Sequence, residues 1–168
     1  MILLLIFFAA VVLLFGFVIA FGAPYVPSLK KEVRAAFDEL YPLNKDDFVV
    51  DLGSGDGSVL LVASAYQAGG LGIELNPLLA YISRLRLGKR AKIIIGNMWL
   101  AKFPPQTTLV YVFSVSRDVR KLEHLMQQEA VRLDKELMLM TFGAALPTVE
   151  PIKTRNAHSL YSFKPLQA

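Results

Sequence analysis

The chain has 168 residues, room for one domain and little else. It has no cysteine, which excludes a disulfide framework and a thiolate metal site, and no metal ligand set is expected. Its net charge of +4 comes without a basic run interleaved with aromatics, so nucleic acid is not an expected partner.

Apolar residues make up 54% of the chain and mean hydropathy is +0.46, with the excess at one end. Residues 1–28 carry no charged side chain, and residues 2–22 are almost all Leu, Ile, Val, Phe and Ala. A helix of that length, at about 1.5 Å per residue, spans about 30 Å, the thickness of a bilayer core. A cleaved signal peptide with Ala20-Phe21-Gly22 at its end is the alternative. No basic residue precedes the run, and it is longer than a signal peptide's apolar region, so a retained transmembrane helix is expected. The domains are then an anchor over residues 1–23 and a folded domain over 24–168. Lys30, Lys31 and Arg34 follow closely. The positive-inside rule therefore places the domain on the cytoplasmic side, or the matrix side in a mitochondrion. The excess positive charge reads as a face near anionic headgroups.

Pro24 and Pro27 favour an extended exit from the bilayer, with Tyr25 at headgroup level. Ser28 is positioned to cap a helix over 29–40, apolar at Leu29, Val33, Ala36, Phe37 and Leu40. A loop over 41–47 leads into a strand over 48–52. The spacing then predicts a helix over 58–67 closed by Gly69-Gly70, a strand over 71–75, and a helix over 77–87 ended by Gly88. Residues 91–95 read as a strand buried on both faces, and 109–113 as the next strand. The charged residues of the helix predicted over 118–133 read as a solvated face that includes His124. A strand over 136–142 and a turn over 143–147 follow, then an antiparallel pair, 148–153 with 159–164, about a turn at 154–157. His158 beside that turn is a weak general-base candidate, read mainly as structural. Strands alternating with helices imply parallel βαβ units, hence a Rossmann-like α/β sheet with helices on both faces.

The chemistry centres on Val50-Asp51-Leu52-Gly53-Ser54-Gly55-Asp56-Gly57. A strand ends in an acid, glycines recur at every second position, and a helix opens directly after. Such a turn leaves no side chains between backbone and ligand. The spacing is not the G-x-G-x-x-G of dinucleotide binders. The pattern D-x-G-x-G-x-G resembles the first motif of class I S-adenosylmethionine (SAM) methyltransferases. Asp51 would hold a cationic α-amine, while the amides of Gly53, Ser54, Gly55 and Gly57 face the ligand's amino-acid end. Glu74, at the tip of the next strand and followed by Leu75-Asn76-Pro77, can accept two ribose hydroxyls. Asn97 and Met98, after the third strand, are placed for an adenine ring: the amide to bond it, the thioether to pack on it.

Pro24-Tyr25-Val26-Pro27, the two acid-tipped motifs, Ser83-Arg84-Leu85-Arg86 and Trp99 together extend the likeness. The chain resembles the small membrane-anchored protein-lysine methyltransferases whose mitochondrial members modify adenine nucleotide translocase and the c-type subunit of ATP synthase. The resemblance implies SAM as cofactor, a protein lysine at or near a membrane as substrate, and bilayer contact through residues 2–22. Tyr25, Ser114 and Trp99 are candidates for the substrate channel, with no catalytic base assigned. The chain departs from that family at Ser58, Asn97 and Ser116, where the family has Arg, an acid and Pro. Two other readings stay open. One is methylation of a membrane small molecule such as a quinone or lipid. The other is a SAM-binding assembly factor without turnover.

Overall fold

The computed structural model describes residues 1–9, 12 and 30–165. Residues 2–9 are helical. Most of the expected membrane span, and Tyr25 with its prolines, lies outside the described residues. Among the described residues, no helix is long and apolar enough to cross a membrane.

Helix α1 (Lys30–Glu39) precedes β1 (Phe48–Leu52), followed by α2 (Ser58–Ala63), β2 (Gly69–Glu74), α3 (Pro77–Leu87) and β3 (Lys92–Ile95). Then come β4 (Leu109–Ser114), α4 (Val119–Leu133), β5 (Leu137–Gly143), β6 (Lys153–Arg155) and β7 (His158–Phe163). The seven strands form one sheet in the order β3-β2-β1-β4-β5-β7-β6. Strands β1 to β5 pair in parallel, while β7 runs antiparallel to both β5 and β6. The chain winds outward from β1 toward β3, then crosses back to start again at β4. The crevice between the carboxyl ends of β1 and β4 is therefore the switch point where α/β sheets bind ligands.

Two apolar layers hold the sheet. On one face Phe37, Leu60, Ala80 and Leu87 of the helices cover Val49, Tyr111 and Met140. On the other, Leu122 and Met126 of α4 and Phe103 cover Val50, Leu52, Val110 and Leu139. The caps follow local chemistry. Asn76 Oδ1 accepts the amide N–H of Leu78 at 2.9 Å, Pro77 takes the first helical position, and Gly88 ends α3.

Several expectations are corrected. Gly69-Gly70 do not close a helix but open β2: a side-chain carbon on Gly69 would sit 2.7 Å from the Phe48 ring, and one on Gly70 2.9 Å from Leu60. The helix before them ends early, in a 3₁₀ turn at Ser64–Tyr66, where the Ser64 hydroxyl donates to the Leu61 carbonyl. Strand β3 is the sheet edge rather than buried on both faces, and Ile95 is 48% exposed. In α4, Glu129 is buried. Its carboxylate accepts from the Phe103 amide at 2.6 Å and pairs with Arg132, tying the loop before β4 to the helix. Strand β6 is confined to Lys153–Arg155 rather than 148–153, and its Arg155 guanidinium pairs with Glu32 and Glu39 of α1, each at 2.9 Å.

Candidate cofactor-binding site

Asp51 ends up where its sequence context places it, near the carboxyl tip of β1, beside Tyr111 of β4. It is 3% exposed, and its Oδ2 has no hydrogen-bond partner. Burial, then the nearby carboxylates of Glu74 and Asp56, pushes its pKa up to about 8. A buried acid with one oxygen unpartnered among the described residues, beside two further carboxylates, suits a cationic ligand group.

The glycine turn above it is bonded to β2. The amides of Gly53 and Ser54 donate to the Ile73 carbonyl at 2.8 and 3.1 Å, and Gly57 donates to Ser54 O at 2.8 Å. Gly55 donates to Glu74 Oε2 at 2.8 Å. The expectation that these amides face a ligand is therefore corrected: those of Gly53, Ser54 and Gly55 are engaged by β2, and that of Gly57 within the turn. Ser54 folds its buried hydroxyl back over Gly72 of β2, without a partner. Gly57, at φ +79°, is a packing residue, since a side-chain carbon there would run into Ser83 and approach Leu87 to 2.8 Å.

Glu74 is 6% exposed and its second oxygen accepts the Asn76 amide at 2.7 Å. The carboxylate thus joins the turn to the start of α3, a role that sequence spacing alone did not reveal. Half-buried Leu75 lies between the two. Arg86 completes the clamp. Its guanidinium pairs with the Asp56 carboxylate and donates to the Asp56 carbonyl at 3.0 Å. Arg84 reaches the Ile93 carbonyl of β3 at 2.9 Å. In Ser83-Arg84-Leu85-Arg86, then, Ser83 packs on Gly57 and the two arginines tie α3 to the edge strand and the turn. The i, i+3 spacing of Ser83 and Arg86 on one helical face was the available signal.

Across the crevice, Asn97 is exposed, and its Oδ1 accepts the Trp99 amide at 3.0 Å. That leaves its NH2 group as the unengaged end. Met98 extends toward the turn, its sulfur 4.0 Å from where a side-chain carbon on Gly53 would lie. Met98, Trp99, Phe113, Ser114, Val115 and Asp118 line one pocket. The structure therefore brings Ser114 and Trp99 together in one pocket. The Ser114 hydroxyl is engaged, donating to Ala144 O at 2.7 Å, and Lys121 lies over the Trp99 ring at 4.5 Å. His158 is buried, with Nε2 3.0 Å from the Tyr111 hydroxyl, and burial lowers its pKa, so it is held neutral. His124 is exposed on α4, as expected.

The architecture has close counterparts. An RNA methyltransferase from Salinibacter ruber, solved with S-adenosyl-L-homocysteine, superposes with a TM-score of 0.73 at 21% identity, over 85% of this chain and 96% of that one. A putative methyltransferase from Escherichia coli gives 0.67 at 19% identity, over 85% and 90%. These likenesses fix the fold. No protein-family model matches the chain. Among curated proteins, the ATP synthase c-subunit lysine N-methyltransferases of Xenopus laevis and Homo sapiens are each 30% identical over 111 residues. The match takes in 63% of this chain, with 48% and 46% of theirs. The chain thus spans about half the length of these relatives. A protein-lysine N-methyltransferase of Saccharolobus islandicus is 30% identical over 113 residues, covering 63% of this chain and 69% of that protein.

The chain belongs to the class I SAM-dependent methyltransferases of the protein-lysine N-methyltransferase type. In a methyltransferase of this class, the residues gathered here have a coherent placement. Asp51 and Glu74 stand on adjacent strand tips, the glycine turn lies between them, and Asn97 and Met98 close the far side.

Proposed function

We propose that the protein transfers a methyl group from SAM to a lysine ε-amine of a membrane or membrane-proximal protein. The observation that carries this reading is the buried, unpartnered Asp51 carboxylate beneath a turn without side chains. SAM carries a cation that suits this carboxylate in its α-amine. Asp51 would hold that amine. Glu74 retains lone pairs for ribose hydroxyls beyond its two backbone bonds. The Asn97 NH2 is a donor and suits an adenine ring nitrogen, and Met98 packs beside it.

Bound SAM supplies an activated methyl group on a sulfonium. The chain's own task is alignment and desolvation. The pocket of Met98, Trp99 and Phe113 is apolar, and an ammonium moved into such surroundings loses its proton more readily, giving the lone pair that attacks. A dedicated base is then not required, and the neutral His158 is occupied by Tyr111. The names of the relatives support a lysine acceptor. The uncharged apolar run over residues 2–22 supports a single-pass anchor, and the Lys30, Lys31 and Arg34 that follow support a domain on the cytoplasmic or mitochondrial matrix side.

The test uses the full-length protein with membranes and methyl-labelled SAM. Label in protein, mapped to lysine by mass spectrometry, is the expected result. Label only in the solvent-extracted lipid would replace the lysine reading with a small-molecule one. No transfer above background, despite cofactor binding, would leave a binding protein without turnover.

A further inference from the structure

Helix α3 presents an apolar stripe that no other described residue covers. Leu78, Tyr81 and Leu85 are 41%, 58% and 68% exposed, and their spacing puts them on one helical face. Ile95, 48% exposed, lies on the neighbouring edge strand. The charge around the stripe has one sign. Between Glu74 and Asp118 the sequence holds seven Lys and Arg and no acid. Arg86, Lys102 and Arg117 are answered by Asp56, Glu129 and Asp118. Arg84, Lys89, Arg90 and Lys92 form no ion pair among the described residues, and the two arginines bond only backbone carbonyls.

We propose that the α3–β3 edge is a second membrane-contact surface, which lays Leu78, Tyr81 and Leu85 into the interface of an anionic bilayer while Arg84, Lys89, Arg90 and Lys92 meet lipid phosphates. Exposed aliphatic side chains flanked by cations are the composition of a helix lying in a bilayer interface. A second copy of this edge would bring four cations against four. A nucleic acid surface would use the cations and stack on Tyr81, but would leave Leu78 and Leu85 without a partner. Helix α3 is capped by Asn76, two residues after Glu74, so docking this edge sets the cofactor crevice beside the lipid surface, where an acceptor lysine at the membrane would arrive. The inference does not depend on methyl transfer.

The chain has no cysteine, so Tyr81→Cys and His124→Cys each give one site for a nitroxide label in the full-length protein. His124 is exposed on α4 and serves as the control. Both variants are bound to vesicles of phosphatidylcholine, with and without phosphatidylglycerol. Anionic lipid is expected to raise oxygen collisions and lower nickel-chelate collisions at position 81, and to leave position 124 unchanged. Adding Lys89→Glu and Arg90→Glu is expected to remove the response. A position-81 label as water-accessible as the one at 124 in anionic vesicles would overturn the proposal, even with the chain vesicle-bound through its apolar end. Immobilisation of position 81 by an RNA oligonucleotide but not by vesicles would overturn it in favour of nucleic acid. Cofactor affinity, measured separately by calorimetry, reports on the methyltransferase reading and is untouched by either outcome.

Discussion

The Gly55 amide donates to Glu74 Oε2 at 2.8 Å, joining the glycine turn to the tip of the next strand. The other oxygen of the same carboxylate accepts the Asn76 amide at 2.7 Å. One side chain thereby fixes the turn after β1 to the start of α3. In Glu74→Gln, one of the two backbone donors faces an NH2 group instead of an acceptor. The expected result is a loss of about 1–3 kcal/mol in stability and at least a roughly tenfold weaker affinity for S-adenosylhomocysteine. Urea unfolding and titration calorimetry measure the two. Unchanged affinity would reduce Glu74 to a structural clasp.

Asp51 links ligand affinity to pH. Its pKa in the fold, about 8, stands above the value of 3.8 for a free side chain. The folded state therefore holds a proton that the unfolded chain has already lost, and stability declines as pH rises from about 4 to about 8. Asp51→Asn is expected to flatten that decline and to raise the melting temperature of the ligand-free protein at pH 8, by roughly 2–4 °C per kcal/mol regained. The same variant should bind S-adenosylhomocysteine poorly. In the natural protein, binding a cationic amine ionises Asp51, so affinity should climb toward pH 8. It should fall above that, as the amine, with a pKa of about 7.7–8.0, loses its own proton. A flat profile in calorimetry would remove Asp51 from the amine site.

Gly57 separates packing from binding. At φ +79°, with Ser83 and Leu87 against its Cα, it has neither the conformation nor the room for a side chain. Left-handed backbone costs an L-residue about 1–2 kcal/mol, and overpacking about 1–3. Gly57→Ala should lose about 2–5 kcal/mol in urea unfolding. Below its melting range, it should bind S-adenosylhomocysteine far better than Asp51→Asn does. Natural stability in this variant would mean that α3 does not sit on the turn as described.

The buried Glu129 makes an acid-sensitive joint. Burial pulls its pKa up, but hydrogen bonds from Arg132 and the Phe103 amide outweigh this and hold it below the usual carboxylate range. Its contribution is therefore present above about pH 4.5 and lost as pH falls through the depressed value. Glu129→Ala is expected to cost about 2–3 kcal/mol at neutral pH, the Arg132 side chain being 35% exposed. It should also remove part of the acid-induced drop in melting temperature. Hydrogen exchange should report faster opening of the Phe103 amide.

Local rules made much of this protein legible in its sequence. A β-branched run ending in Asp51, glycines at alternate positions, and Asn-Pro at a helix start each specify a backbone conformation through contacts within a few residues. Strand β1, helix α3 with its caps, and the two acid-tipped strands could therefore be read directly. What depended on distant partners could not. That Gly57 serves packing, that the turn amides bond inward, that Glu129 is buried and that β3 is an edge all follow from which elements meet. Ser83 lies 26 positions from Gly57, Phe103 the same distance from Glu129, and the strand order is set by crossovers. Residue spacing records periodicity along one element, whereas burial and hydrogen-bond satisfaction belong to pairs of elements. Only the folded chain decides those pairs.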